Sequence, residues 1–185
     1  NIYEYLKNKK ILDIGCGTGE FLKNYHELNN QCLGIDIQQN FKFKNKIGFT
    51  LKNIDFKNFI KNNKKKFDII FLFEFLEHLS FSDREFLFKN LFKLLNRNSL
   101  IFISTLNKNI ISKFLAIDIA EKYLKLLPKN THNDKYFLNP SEIQNLANNN
   151  KLHLVDVSGM TYNPLFKSFK LSKIDLVNYF VSLRN

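Results

Sequence analysis

Short apolar runs alternate with helix-spaced apolar stripes along this chain. Residues 10–14 read as a strand, 19–28 as a helix, and 32–36 as a second strand that ends on Asp36. A short third strand is expected over 47–51. The run 66–73 is almost continuously apolar, as in a strand buried on both faces. Over 82–95, Ser82 and Glu85 have capping-box spacing, and Phe86, Leu87, Leu91, Leu94 and Leu95 make a helical stripe. Another buried strand is expected over 99–105. Asn139-Pro140-Ser141-Glu142 has the form of a helix start: a capping residue, proline at the first helical position, and an acid three residues after the cap. Residues 152–157 and 174–183 are late strand candidates. This alternation predicts an α/β domain with a mostly parallel sheet and helices on both faces.

Segment 110–127 breaks the rhythm, because a compact α/β unit needs only a short connection there. Phe114, Leu115, Ile119, Tyr123, Leu124 and Leu127 form a broad stripe beside Lys113, Lys122 and Lys125. A packed helix, a substrate lid and an interfacial membrane helix all fit that pattern.

The length of 185 residues suits one domain, taken as 1–185, with 107–138 as an insertion. The 44% apolar content is enough for a core. A net charge of +11 could steer the chain toward nucleic acid, anionic lipid or an acidic partner, although runs such as Asn62-Asn63-Lys64-Lys65-Lys66 also read as solvated surface. Two cysteines, Cys16 and Cys32, make neither a disulfide framework nor a zinc site; reduced cytoplasmic thiols are expected. Neither a signal peptide nor a bilayer-spanning apolar run is expected.

Candidate chemistry concentrates where the predicted strands end, the edge at which open α/β sheets bind ligands. Leu12-Asp13-Ile14-Gly15-Cys16-Gly17-Thr18-Gly19 joins the first strand to the first helix. Its G-x-G-x-G spacing differs from the dinucleotide fingerprint. Glycine permits the tight turn and close ligand approach, and Asp13 disfavours a diphosphate there. The loop Asp13, Gly15, Gly17, Gly19 suits a cationic or zwitterionic adenosylated ligand such as S-adenosylmethionine. Asp36 could accept both ribose hydroxyls of that ligand. Asp55 could accept from an adenine amino group, with Phe56 beside the ring; a surface-loop aspartate is the competing reading. In Phe73-Glu74-Phe75-Leu76-Glu77-His78, two carboxylates and an imidazole follow a strand. Such a set suits magnesium or manganese, and it equally suits a general-base cluster. Spacing shows no Ser-His-Asp or Cys-His arrangement, and His132 could reach the pocket from a later loop.

The glycine loop and Asp36 resemble class I S-adenosylmethionine-dependent methyltransferases. Downstream segments narrow the resemblance to the ubiquinone-biosynthesis O-methyltransferases: Ser104-Thr105-Leu106-Asn107-Lys108-Asn109, Ala120-Glu121-Lys122-Tyr123-Leu124, Leu127-Pro128-Lys129-Asn130-Thr131-His132, Tyr162-Asn163-Pro164, Phe169-Lys170-Leu171 and Val177-Asn178-Tyr179. The resemblance spans essentially the whole chain. It implies a Rossmann-like, seven-stranded sheet with the last strand antiparallel and a helical insertion after the fifth. It implies cofactor contacts at Gly15, Asp36 and the backbone of Phe73, and a divalent cation, magnesium first, on Glu74, Glu77 and His78. It also implies O-methylation of a polyprenylated phenol or catechol. The expected partners are an anionic membrane surface and other enzymes of the same pathway, and the expected location is cytoplasmic, peripheral to the inner membrane. The insertion would serve that membrane contact. The family carries a segment ahead of the first strand, with a cofactor-holding arginine, which 1–185 is expected to lack. Asn130 and Asn133 stand where the family has glycine and aspartate, and Asp134 follows. Two other readings are an E-x-x-E-H RNA-terminal methyltransferase, against which the downstream segments argue, and a non-catalytic cofactor-binding protein of the same fold.

Overall fold

The computed structural model describes residues 4, 6–37, 41, 48–108, 137–163, 168–172 and 178–185. The elements in order are β1 (Lys10–Ile14), α1 (Glu20–His26), β2 (Gln31–Asp36), β3 (Phe49–Asn53), α2 (Phe56–Asn62) and β4 (Phe67–Phe73). After a 3-10 turn (Leu76–His78) come α3 (Phe81–Leu94), β5 (Leu95–Leu106), α4 (Pro140–Asn148), β6 (His153–Asn163), β7 (Ser168–Ser172) and β8 (Asn178–Arg184). The strands form one sheet in the order β3-β2-β1-β4-β5-β8-β6-β7.

Strands β3, β2, β1, β4 and β5 run parallel, and β8 enters antiparallel between β5 and β6. That is the expected Rossmann-like layout. The sheet has eight strands rather than seven, because β7 pairs antiparallel with β6 as an added edge.

Alternation along the strands splits the core into two layers. Leu12, Ile14, Ile70, Leu72, Ile101 and Ile103 pack under α2, α3 and α4. Ile11, Ile69 and Phe71 face the other way and pack with Leu22 of α1 and with Phe49 and Leu51 of β3. β4 is therefore buried on both faces, as its apolar run predicted.

Helix α3 starts two residues earlier than its spacing suggested. Its cap is Ser80, which accepts from the Asp83 N–H at 3.2 Å, and not Ser82. Fully buried Leu87, Phe88 and Leu91 carry the stripe, while Leu95 belongs to β5. The predicted cap at Asn139 is present: Asn139 Oδ1 accepts from Glu142 N–H, and Glu142 Oε2 accepts from Asn139 N–H. Helix α2 and strand β7 have no counterpart among the elements expected from spacing. The insertion core at 110–127, His132 and Asp134 lie outside the described residues.

Where the described chain resumes, Leu138 is pinned to the sheet. The hydroxyl of Tyr179, fully buried on β8, donates to the Leu138 carbonyl at 2.9 Å. Tyr179→Phe leaves that carbonyl buried with one partner fewer. A loss of about 1–2 kcal/mol is expected, seen as a lower urea midpoint with an unchanged m-value.

Candidate active site

Parallel register brings the loop glycines, Asp36 and the end of β4 to one edge. Ile14 pairs with Ile35, and Asp13 lies between Gly34 and Phe71. The loop after β1 folds back on β2: the N–H groups of Gly15 and Cys16 both donate to the Ile35 carbonyl, at 2.9 and 3.1 Å. Gly15, Gly17 and Gly19 all have positive φ. At Gly15 (φ +81°) a Cβ would lie 2.5 Å from the Phe75 ring, so a side chain is excluded both by backbone conformation and by space. The Gly17 N–H donates to Asp36 Oδ2 at 2.9 Å, which joins the glycine loop to the acid at the end of β2.

Asp13 is 3% exposed. Burial first, and then the charge of Asp36, push its carboxyl up to about 7. Both cysteines are free and buried. Burial raises both thiols, that of Cys32 to about 12, so neither supplies a thiolate nucleophile.

Asp55 is the N-cap of α2. Its Oδ1 accepts from the N–H groups of Lys57 and Asn58, at 3.0 and 3.2 Å. Phe56 packs edge-to-face on Phe75 at 5.6 Å between centroids. Phe73 is half-buried, with its ring in an aromatic cluster with Phe21, Phe71 and Phe180 at 4.9–5.9 Å.

Beyond β4 the chain turns sharply at Glu74, a non-glycine residue at φ +48°. Ser104 on β5 secures that turn three ways. Its carbonyl and its hydroxyl oxygen accept from the Glu74 N–H at 3.0 and 3.2 Å, and its hydroxyl donates to Glu74 Oε1 at 2.7 Å. The neighbouring Thr105 hydroxyl donates to Glu77 Oε2 at 2.8 Å. From below, Nε of the buried Arg84 on α3 donates to the Leu76 carbonyl at 2.9 Å. The sequence offers Ser104 and Thr105 only as part of a family segment, and Arg84 as one more basic helix residue. Their roles depend on the β4–β5 register and on the packing of α3, which spacing does not reveal.

Glu77 is 2% exposed, and its Oε1 has no hydrogen-bond partner among the described residues. Burial, followed by the charge of Glu74, raises its carboxyl to about 8. A desolvated acid beside a second carboxylate calls for a proton or a cation between them. The two glutamates fit either one. His78 does not complete the expected three-ligand set. It ends the turn on the exposed side, and no three His, Cys, Asp or Glu side chains converge on a metal position among the described residues. Positions three apart eclipse in a 3-10 turn, whereas the next residue is rotated by about a third of a turn. Glu77 and His78 therefore diverge.

A methyltransferase domain model matches residues 4–157. The ubiquinone biosynthesis O-methyltransferase of Pelagibacter ubique is 40% identical over 185 residues, covering 94% of this chain and 74% of its own. That of Bartonella quintana is 37% identical over 179 residues, covering 94% and 72%. Among solved structures, a SAM-dependent methyltransferase from Archaeoglobus fulgidus is similar with a TM-score of 0.73 at 20% identity, over 100% of this chain and 90% of that one. Magnesium protoporphyrin IX methyltransferase from Synechocystis, solved with bound SAH, has a TM-score of 0.62 at 15% identity, over 100% and 80%.

The raised Asp13 carboxyl makes a thermodynamic prediction. Its ordinary value is 3.8 and its folded value about 7, so the folded state binds the extra proton between those limits. Stability contributed by Asp13 is complete below the lower value and is lost as pH rises toward the upper one. Asp13→Asn removes this dependence. The wild-type-minus-variant difference in unfolding free energy should fall by on the order of 1 kcal/mol per pH unit between about pH 4 and 7. Urea melts at several pH values check it; a pH-independent difference would contradict a buried, neutralised Asp13.

Proposed function

This chain belongs to the ubiquinone biosynthesis O-methyltransferase family, and we propose that it moves a methyl group from S-adenosylmethionine to a phenolic hydroxyl of a polyprenylated phenol or catechol. The observation that carries the reading is the facing of two sites on one sheet edge. The Gly15–Gly19 loop clamped to Asp36 lies at the ends of β1 and β2. Glu74 and the buried Glu77 lie beyond β4, the strand next to β1.

In this reading the loop backbone and Asp13 cradle the methionyl part of the cofactor. Asp36, oriented by the Gly17 N–H, accepts the ribose hydroxyls. Asp55 is assigned the adenine amino group through the oxygen other than Oδ1, and the backbone of Phe73 closes the pocket beside the sulfonium. The negative charge of Asp36 favours the cationic donor over its product, and a bound sulfonium would in turn favour the ionised form of Asp13.

The acceptor hydroxyl gives its proton to Glu77 Oε1, the oxygen without a partner among the described residues, while Thr105 holds Oε2. The phenolate oxygen then forms a bond to the methyl carbon, and the carbon–sulfur bond breaks with its electron pair going to sulfur. Positioning the two reactants can contribute roughly 7–11 kcal/mol of barrier reduction. With its carboxyl raised to about 8, Glu77 is mostly protonated at neutral pH, so the form that accepts the proton grows as pH rises toward that value. A divalent cation, magnesium first, would be held by Glu74 and Glu77; when bound it supplies positive charge that lowers the hydroxyl pKa. His78, on the exposed end of the turn, takes no part in holding the cation in this reading.

We assign 1–185 to a single domain with 107–138 as the lid or membrane-contact insertion. Among the described residues no helix is long and apolar enough to cross a membrane. Peripheral association with an anionic inner-membrane surface, alongside other enzymes of the pathway, is the reading that suits an isoprenoid substrate. Each buried CH₂ of its tail is worth about 0.8 kcal/mol, so the substrate stays in lipid and the enzyme must come to it.

Glu77→Gln keeps the shape and removes the proton acceptor. Methyl transfer from labelled cofactor to a short-chain demethylated quinol should fall by about 100-fold or more, while cofactor affinity by calorimetry stays within about threefold. Running the same assay with and without a chelator reads the cation. Wild-type turnover by the variant would overturn the role of the pair.

A further inference from the structure

The lysine run that the methyltransferase reading leaves unused lies at the opposite edge of the sheet. Four segments meet there at the amino ends of the parallel strands: the turn into β1, the loop into β2, the start of β3 and the loop into β4. They enclose a groove of about 1100 Å³. Lys9 and Lys10 line it from the first segment and Lys64, Lys65 and Lys66 from the last, while Lys52, paired with Ile35 near the carboxyl end of β3, borders its far side. All but half-buried Lys9 are exposed. Among the described residues the one carboxylate in the lining is Asp68, whose oxygens accept from the Lys10 N–H at 2.8 Å and the Asn96 amide at 2.7 Å.

Asparagines shape these loops. Asn30 is 2% exposed; its Oδ1 accepts from the Lys9 N–H at 2.7 Å, and its amide donates to the Tyr25 carbonyl at 2.9 Å. The Asn29 amide donates to Asn8 Oδ1 at 2.7 Å, tying the first two segments together. Asn63 both donates to the Lys65 carbonyl and accepts from its N–H, folding the lysine loop on itself. The cations therefore stand on braced loops rather than on a loose tail.

We propose that this groove binds a chain of phosphates, presented either by a single-stranded nucleic-acid backbone or by inorganic polyphosphate. Five lysines on the amino-edge loops, against one carboxylate among the described lining residues, fit a polyanion. Of the described lining rings, Phe59 and Phe67 are buried and His26 is half-buried against Phe49, so the phosphates are the main handle on the ligand. A bilayer presents its phosphates on a plane, whereas these lysines line a concavity that a strand can enter. Strands of five to seven residues separate the groove from the glycine loop. At about 3.3 Å per residue, a ligand here leaves the carboxyl edge open.

The test uses the full chain and two labelled probes followed by anisotropy: oligo(dT) of about 20 nucleotides and inorganic polyphosphate of about the same charge. Lys64→Gln/Lys65→Gln/Lys66→Gln is compared with Lys89→Gln/Lys93→Gln/Lys151→Gln, which removes equal charge outside the groove lining. The groove variant should bind at least about tenfold more weakly and lower the slope of log K against log salt by about 2, at about 0.7 for each phosphate no longer neutralised. The control should stay within about twofold, with cofactor affinity and circular dichroism unchanged in both. Weaker binding of both probes assigns a strand backbone, and weaker binding of polyphosphate alone assigns the inorganic chain. Equal weakening in the two variants would overturn the proposal in favour of bulk charge. So would groove-dependent binding to phosphatidylglycerol vesicles with neither probe bound.

Discussion

Asp13 and Asp36 on neighbouring strands, and Glu74 and Glu77 on one turn, set like charges against each other, with one member of each pair cut off from water. Desolvation and mutual repulsion both disfavour this, and neither pair would persist without bonds that hold it. The Gly17 N–H orients Asp36, Ser104 and Thr105 fasten Glu74 and Glu77, and Arg84 braces the turn through the Leu76 carbonyl. The restraining groups come from the loop after β1, from β5 and from α3, so the acid pairs exist only once the sheet and its covering helix have formed. Positive charge would relieve both pairs, and so would a proton on the buried member of each.

Several positive-φ residues lie at this same edge. Three positive-φ glycines and Glu74 at φ +48° all lie within the two turns that follow β1 and β4. Glu74 carries a side chain in a conformation that glycine would adopt freely. Its N–H is shared by the carbonyl and hydroxyl of Ser104, which offsets the conformational cost and aims its carboxylate at Glu77. The backbone outlier and the acid pair are thus one feature: without this turn, Glu74 would not reach its partner.

Much of this is legible in the chain where local chemistry and fold agree. The glycine loop, Asp36 and the capping box at Asn139 follow from residue type and spacing, because turns and caps are decided within a few residues. Spacing is less informative where tertiary contacts decide. Ser82 offers a capping box, yet Ser80 caps α3, since burying Leu87, Phe88 and Leu91 sets where the helix begins. Helix α2 escapes a reading by pattern because Phe56–Asn62 is only seven residues long: Phe56, Phe59 and Ile60 have the i, i+3, i+4 spacing of a helix face, but over less than the window that makes such spacing decisive. Its existence also explains Asp55, whose Oδ1 caps it. At Glu74-Phe75-Leu76-Glu77-His78 the residue types point to the chemistry, but an α-helical spacing would put His78 beside Glu74. The 3-10 turn instead carries it to the exposed side.

Net charge of +11 would suggest a basic site, and the carboxyl edge is acidic. The two facts are compatible because of distance. A strand such as β1 spans five residues, or about 16 Å, between the lysine-lined groove and the glycine loop. Screening at physiological salt acts over about 8 Å, so exposed lysines at one edge exert little field on carboxylates at the other. The buried acids are raised first by their own burial and then by the neighbouring carboxylate, Asp36 for Asp13 and Glu74 for Glu77. Overall basicity therefore describes the lysine-bearing surface, the amino edge included, and carries no information about the acidic carboxyl edge. The length of a strand is enough to let one sheet present two electrically independent faces.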